Sequence, residues 1–153
     1  MDIKTLLQSL LDHKVKFLVI GAWALPAHGF ERMTKDVDIF IQPSNQNAKR
    51  AVHALSSIGY KAVDDVSPSL FLRKKILLRQ YILQVDIHPF VAGMGFEAAW
   101  KRRIKTEIKG LSVYVPSLND LIRMKRAAGR AKDLEDIRVL EKIREKIRAK
   151  RKR

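Results

Sequence analysis

Cysteine is absent from this chain, and the residues that interrupt regular structure are few. The absence of thiols excludes disulfides, thiolate metal sites and cysteine nucleophiles. With 7 glycines and 5 prolines spread along 153 residues, no segment has the composition of a flexible linker. We therefore expect a single domain over residues 1–153, with a sheet and its helices in 1–116 and C-terminal helices in 117–153.

Long hydrophobic runs are also missing. No run approaches the roughly 18 apolar residues that span a membrane, and no signal-peptide pattern opens the chain. Hydrophobic residues nevertheless make up 46% of the sequence, which is enough for the core of a globular domain. The sequence predicts a cytoplasmic protein without membrane contact.

Acidic residues are scarce relative to basic ones. The chain has 16 Asp and Glu against 31 Lys and Arg, a net charge of +15. Residues 123–153 hold 14 of the basic and 5 of the acidic residues, so +9 of that charge lies there. Such a surplus attracts polyanions, nucleic acid and nucleotides alike. The C-terminal segment is therefore either a nucleic-acid surface or a solvated face of a charged helix.

Hydrophobic periodicity predicts an α+β domain with a mixed, twisted sheet of about five strands, flanked by helices and followed by a C-terminal helical pair. N-caps and glycine stops mark the helix ends, and alternation marks the strands. The predicted helices cover about 2–13, 44–58, 96–103 and 117–128, and a last helix begins near Asp133 and includes Ile147. The predicted strands cover about 17–20, 36–41, 60–63, 69–73, 80–88, 105–108 and 111–115.

Two carboxylates stand side by side at the start of the second strand. Asp36 and Asp38 alternate with apolar residues, so they share a face, about 6.5–7 Å apart along the strand. Their repulsion is relieved by a divalent cation, and Mg²⁺ favours carboxylates together with substrate phosphates. Upstream, Gly21-Ala22 follow the first strand, where small residues and free N–H groups suit a phosphate. The alternative is an edge strand with solvent-facing aspartates.

This stretch resembles the DNA-polymerase-β-type nucleotidyltransferase superfamily. The resemblance lies in the small pair, the thirteen residues between Ala22 and Asp36, and the Asp-x-Asp motif preceded by Arg32 and Thr34. It is similar to the small AbiEii-type toxin nucleotidyltransferases among the superfamily's members. The family usually has Gly-Ser or Gly-Gly where this chain has Gly21-Ala22.

The resemblance implies metal-dependent transfer of a nucleoside monophosphate from an NTP to a hydroxyl. The acceptor would be RNA or tRNA, a protein or a small molecule, and the enzyme would act in a toxin–antitoxin system. The implied ligands of Mg²⁺ or Mn²⁺ are Asp36, Asp38 and Asp86, the last from a neighbouring strand. The implied nucleotide-binding residues are Gly21, Ala22, Arg32, Thr34 and Lys125.

A second likeness to the AbiEii-type proteins lies at the join of the last two helices. There Lys125 would bind the phosphates of the nucleotide, and Asp133 would assist the acceptor. The alternative for both is an ordinary helix surface or cap. Ala22, in place of the family's usual serine or glycine, supports an alternative function in which the protein is not an active enzyme. It would then be a catalytically weak binding module that acts as an antitoxin or an RNA-binding partner subunit. His88 shares the strand face of Asp86, where it either touches substrate or is merely exposed.

For an RNA acceptor, the basic C-terminus generates a testable prediction. The lysines and arginines of residues 142–153 would contact phosphates, so log affinity should fall with log salt by about 0.7 per contact on a single strand. Deletion of residues 150–153 should flatten this slope and raise the KM for RNA, while NTP binding stays unchanged. Salt titrations of RNA binding measure the slope. An unchanged slope and KM would identify the tail as a solubilising face.

Overall fold

The computed structural model describes residues 1–32 and 34–152. Arg153, which the tail prediction and the single-domain prediction include, lies outside the described residues. A four-stranded sheet is at the centre, in the order β1-β2-β4-β3. Strand β2 runs antiparallel to β1 and parallel to β4, and β3 runs antiparallel to β4. The strands are β1 (Phe17–Ile20), β2 (Asp36–Ile41), β3 (Ile76–Leu78) and β4 (Gln84–His88).

Helices flank this sheet, and a separate antiparallel hairpin precedes the C-terminal helical pair. The hairpin consists of β5 (Ile104–Ile108) and β6 (Leu111–Val115). The α-helices are α1 (Ile3–Asp12), α2 (Asn45–Ser57), α3 (Leu70–Arg73), α4 (Phe96–Lys101), α5 (Leu118–Ala128) and α6 (Ala131–Arg151). Two 3-10 helices cover Gly21–His28 and Lys61–Asp65. Among the described helices, none combines the length and the apolar character needed to cross a membrane.

The core explains why the acidic residues of β2 lie on one face only. Val37 and Ile39 are fully buried on the face of β2 opposite Asp36 and Asp38. On β4, Val85 and Ile87 are equally buried. Because side chains alternate along a strand, burial of these apolar residues turns the acidic residues of both strands to the other face.

The α+β class, the mixed sheet and the C-terminal helical pair are confirmed. The side chains of Asp2, Ser44 and Ser117 accept hydrogen bonds from the first turns of α1, α2 and α5. Gly129, at φ +65°, ends α5 as predicted. Helix α6 begins at Ala131, two residues before the predicted start at Asp133.

One predicted strand, at residues 69–73, is wrong. Those residues form α3 because a turn precedes them: the amides of Leu70 and Phe71 donate to the carbonyls of Ser67 and Pro68, at 2.9 and 3.0 Å. The short helix buries Phe71 completely. The apolar run was therefore compatible with a helix that presents a single buried aromatic side chain.

The rest of the predicted sheet also differs from the structure. The predicted strand at residues 60–63 is wrong, since Lys61–Asp65 form a 3-10 helix. The edge strand lies instead at Ile76–Leu78, and the predicted strand at 80–88 is shortened to Gln84–His88. The main sheet consequently has four strands. At β3 the pairing partner, β4, decides the strand, and such tertiary context overrides local preference.

Asn47 generates a prediction about stability. Its buried side chain accepts from the amide of Lys16 at 2.7 Å and donates to the carbonyls of Lys16 and Gln42, at 2.9 and 3.0 Å. Asn47→Ala leaves the partly buried amide of Lys16 without a partner, while the carbonyls of Lys16 and Gln42 keep the amides of Gln42 and Ser44 as donors, so we expect the unfolding free energy to fall by about 1–3 kcal/mol. Urea denaturation measures the loss. The matched control is Asn45→Ala on the exposed first turn of α2, and equal stability of the two variants would contradict the prediction.

Candidate active site

The parallel pairing of β2 and β4 brings together three groups that can ligate a metal. Asp38 lies opposite Asp86 in the register, and His88 follows two residues later on the same face. His88 Nε2 lies 2.9 Å from Asp38 Oδ1. One potential ligand atom from each of the three residues lies within 4.8 Å of the others. The arrangement follows from strand alternation combined with in-register parallel pairing.

Asp86 is held by an arginine at the edge of the sheet. Arg79 Nη1 lies 2.8 Å from Asp86 Oδ1 and also donates to the carbonyls of Leu78 and Val85, at 3.2 and 3.4 Å. Asp86 Oδ1 is buried and, within the described residues, accepts no hydrogen bond, so the arginine contact is an ion pair only. The carboxylate therefore keeps an unused electron pair, which suits a cation as a further partner.

Gly21 allows the backbone to approach Asp38. The residue has φ +66°, and a Cβ at this position would lie 2.5 Å from Asp38 Oδ2. Any larger side chain would therefore displace the carboxylate as well as strain the backbone. The following residue, Ala22, is buried in the 3-10 helix. This geometry explains the small pair after β1 independently of phosphate binding.

A network of buried charges joins α5 to α6. Lys125 is 8% exposed, and its Nζ lies 2.9 Å from Asp136 Oδ2 and 3.8 Å from Asp133 Oδ1. Arg32 Nη1 donates to both carboxylate oxygens of Asp136 at 2.7 Å. Arg130 Nε donates to Asp133 Oδ2, also at 2.7 Å. Each buried aspartate is thus paired with at least two cationic side chains, which offsets the cost of desolvation.

The pKa of Asp133 lies below the ordinary value of an aspartate. Burial alone raises this pKa, but the side-chain and backbone hydrogen bonds from Arg130 outweigh it, helped by the charges of Arg130 and Lys125. The pKa of Arg130 is raised, chiefly by the hydrogen bond to Asp133. Asp133 is therefore a stable carboxylate near neutral pH and a poor proton acceptor.

The strand groups and the helix groups open into one cavity of about 470 Å³. Apolar side chains of α5 and of the segment after β4 form much of its wall, including Leu121, Met124 and Phe90. Its charged lining is balanced, with three carboxylates and three basic side chains besides His88. These six residues are Asp38, Asp86, Asp133, Lys75, Lys125 and Arg130. Such a cavity can accept a polyanion whose charge is shared with a bound cation.

The structure brings together some of the predicted site residues and leaves others outside the cavity. Those that line it are Gly21, Asp38, Asp86, Lys125 and Asp133. The roles of all the predicted residues stay predictions.

Four predicted residues do not line the cavity. Asp36 is exposed at the start of β2, opposite Gln84, and its amide donates to Thr34 Oγ1 at 3.1 Å. Arg32 borders a second hollow, beside α6, and Ala22 is buried in the 3-10 helix. Thr34 therefore positions the start of β2, and Arg32 ties the preceding loop to Asp136.

Sequence reasoning missed three residues of the site, Lys75, Arg79 and Arg130, and left His88 between contact with substrate and simple exposure. For His88 a signal was present, since it lies two residues after Asp86 on the same strand. For Lys75 the basic run of residues 73–75 was visible, but nothing local placed it beside the sheet. Arg79 and Arg130 depend on where α6 and β3 lie, which a local pattern does not reveal.

Comparisons with known proteins identify the family and the fold of the chain. Residues 1–147 match the model of a family described as "Nucleotidyltransferase of unknown function (DUF6036)". The match confirms the predicted superfamily and the predicted enzyme class, while the AbiEii-type assignment stays a prediction. No curated protein matches the chain.

Solved structures share the fold. The lincosamide antibiotic adenylyltransferase LnuA, bound to lincomycin, is 20% identical, with a TM-score of 0.63 over 94% of this chain and 98% of that one. ANT(2")-Ia in complex with adenylyl-2"-tobramycin is 15% identical, with a TM-score of 0.60 over 97% and 95%. A solution structure of the antibiotic-resistance factor ANT(2'')-Ia is 14% identical, with a TM-score of 0.59 over 97% and 90%.

The buried Asp133 generates a prediction with a defined pH dependence. Asp133→Asn removes a charge that pairs with Arg130 and Lys125, so we expect a loss of about 2–3 kcal/mol in unfolding free energy at pH 7. Because the folded-state pKa is lowered, the wild-type advantage is present above the unfolded pKa of about 3.9 and is lost as pH falls further, through the folded-state pKa.

Urea denaturation of the wild type and the variant between pH 7 and pH 3 measures this difference. The matched control is Glu145→Gln, an exposed acidic residue on the same helix, which should change stability little at any pH. A difference between the wild type and Asp133→Asn that persists undiminished at pH 3 would exclude the ionised carboxylate as its cause.

Proposed function

Because the chain belongs to the DUF6036 family of nucleotidyltransferases, we propose that it transfers a nucleoside monophosphate from an NTP to a hydroxyl group and releases pyrophosphate. The single observation that carries this proposal is the convergence, in one cavity, of Asp38 and Asp86 with Gly21 and the buried Lys125. Carboxylates for a cation and positive groups for phosphates are the two requirements of phosphoryl transfer.

The residues present fit a divalent cation. Asp38 and Asp86 would hold it, with Asp36 on the same strand face as a further carboxylate. When bound, Mg²⁺ or Mn²⁺ would neutralise phosphate charge and lower the pKa of the attacking hydroxyl. Arg79 keeps Asp86 in place through its ion pair, so the carboxylate does not turn away into solvent.

The triphosphate is proposed to lie between the end of β1 and α5. There Gly21, the Lys125 ammonium and the Arg130 guanidinium line the same cavity, with Ala22 buried behind Gly21. Lys125 is already paired with Asp136 and close to Asp133, so its position is fixed before the nucleotide binds. A preorganised charge of this kind stabilises the transition state without reorganisation. Arg32 acts indirectly, because it pairs with Asp136, which in turn pairs with Lys125.

Of the three carboxylates that line the cavity, Asp133 and Asp86 differ in their suitability as a base. Asp133 is a poor proton acceptor because its pKa is lowered by Arg130 and Lys125. We assign it to orienting these cations beside the acceptor. Asp86 lies at the sheet, next to Asp38, and is the better candidate to accept the proton of the attacking hydroxyl. The hydroxyl oxygen would then attack the α-phosphorus as the bond to pyrophosphate breaks.

The acceptor that the cavity fits best is a small hydroxylated molecule with an apolar portion. About 470 Å³ is the size of a site for small molecules, and Leu121, Met124, Val91 and Phe90 give it an apolar wall. The structures of LnuA and ANT(2")-Ia contain lincomycin and adenylyl-2"-tobramycin.

A second candidate acceptor is RNA, favoured by the net charge of +15 and its concentration in residues 123–153. A protein acceptor, a partner subunit and a toxin–antitoxin role stay predictions. Labelled NTPs offered with Mg²⁺ and separate pools of small hydroxylated compounds, RNA and protein distinguish the acceptors, because label enters one pool. Absence of label from every pool, with no pyrophosphate released, would contradict transfer.

The carboxylate assignment generates a prediction about activity. Asp38→Asn and Asp86→Asn should each lower transfer by at least about 10²-fold, because the charge that holds the cation is reduced. Asp36→Asn should also lower transfer if the exposed carboxylate contributes. Pyrophosphate release measures the rate, and thermal unfolding checks the fold. The control is Asp65→Asn, an exposed aspartate outside the cavity lining.

The three variants separate the possible outcomes. Transfer at the wild-type rate in both Asp38→Asn and Asp86→Asn would contradict the site. A normal rate in Asp36→Asn alone would remove Asp36 from the site and leave the Asp38–Asp86 pair intact.

A further inference from the structure

His88 lies beside the two aspartates of the sheet, with a potential ligand atom within 4.8 Å of one from each of them. Its Nε2 lies 2.9 Å from Asp38 Oδ1, and within the described residues the His88 side chain forms its hydrogen bond with this oxygen. The ring is half-buried at the end of β4 and lines the same cavity as both aspartates. Asp36, the other carboxylate of the motif, lies outside that cavity lining.

The spacing of the three groups is compatible with ligands of one ion. Ligand atoms at about 2.1 Å from an ion are about 3 Å apart when adjacent and about 4.2 Å apart when opposite. The Nε2–Oδ1 separation of 2.9 Å corresponds to two adjacent ligands. The ligand atoms of the three residues all lie within 4.8 Å of one another, so small side-chain movements would bring them to the separations expected around an ion. An ion can therefore insert between the three side chains without rearrangement of the sheet.

The donor set distinguishes between metals. Mg²⁺ takes oxygen ligands, whereas imidazole nitrogen suits first-row transition ions. Two carboxylates and one imidazole form a mixed oxygen–nitrogen site. The ion pair with Arg79 also withdraws part of the negative charge of Asp86, which weakens a site that depends on charge alone.

We propose that His88 binds the catalytic metal directly through Nε2, together with Asp38 and Asp86, and that this site prefers a transition ion such as Mn²⁺ over Mg²⁺. The proposal rests on the proposed transfer function, because it concerns the cation of that site. The alternative is that His88 only fixes Asp38 by a hydrogen bond, in which case the metal sees oxygen ligands alone.

Pulsed EPR of the full chain with Mn²⁺ alone tests the ligand. A directly bound imidazole produces nitrogen hyperfine coupling to the Mn²⁺ electron spin, and an oxygen-only site does not. We expect the coupling in the wild type and in His53→Asp, an exposed histidine on α2 that serves as the matched control. His88→Asp should lose the coupling and still bind Mn²⁺ through three carboxylates.

Competition between Mn²⁺ and Mg²⁺ tests the preference. The wild type should bind Mn²⁺ more tightly than Mg²⁺, and His88→Asp should reduce the ratio of the two dissociation constants by about tenfold or more. The same ratio in His53→Asp should equal that of the wild type. An unchanged ratio in a folded His88→Asp would contradict the proposal.

The wild-type spectrum decides the ligand even where a variant does not fold. Bound Mn²⁺ without nitrogen coupling, or failure of Mn²⁺ to bind, would overturn the assignment of His88. The transfer assay with Mg²⁺ on the same preparation separates this outcome from failure of the function. Transfer without nitrogen coupling would refute the His88 ligand only, whereas absence of both would refute the function as well.

Discussion

The in-register parallel pairing of β2 and β4 is the constraint on which the site depends. It places Asp38 directly opposite Asp86, and like charges at this distance repel. The pairing is kept because Val37, Ile39, Val85 and Ile87 are buried on the opposite face. A slip of β4 by one residue would move Val85 and Ile87 to the cavity face and Asp86 into the core. The hydrophobic face of the sheet therefore enforces the electrostatic conflict that a bound cation relieves.

Other elements of the fold accommodate the charges of Asp38 and Asp86. Gly21 lacks the Cβ that would collide with Asp38, and Arg79 pairs with Asp86 from the edge of the sheet. The C-terminal helical pair supplies the positive side of the cavity, where Lys125 is held between buried aspartates. Because the opposing charges come from separate elements, sheet and helices must pack correctly before the cavity exists. The site is therefore complete only when the sheet and the C-terminal helices are packed together.

Features set by neighbouring residues could be predicted from the sequence, whereas features set by contacts between distant parts of the chain could not. The placement of Gly21 and Asp38 was predictable because strand alternation and the turn after β1 are local, and the caps at Ser44 and Ser117 are local as well. Asp86 came from the resemblance to the superfamily, since a single aspartate on a strand is a weak local signal. The edge strand β3 was not, since its partner β4 decides it. The pairs of Lys125 and Arg32 with Asp136 join residues 11 and 104 positions apart, which no periodicity encodes.

Geometry also separates the cavity from the basic end of α6. The last cavity residue on that helix is Asp133, and the last fully buried one is Leu140. From Asp133 to Lys150 the helix rises about 25 Å, so its exposed basic end lies far from the transferred phosphate. A small acceptor that fills the cavity cannot contact both places. An acceptor whose binding depends on the C-terminal basic residues must instead be a polymer of several nucleotides, with one hydroxyl in the cavity. The effect of deleting these residues on acceptor binding therefore distinguishes a long acceptor from a small one.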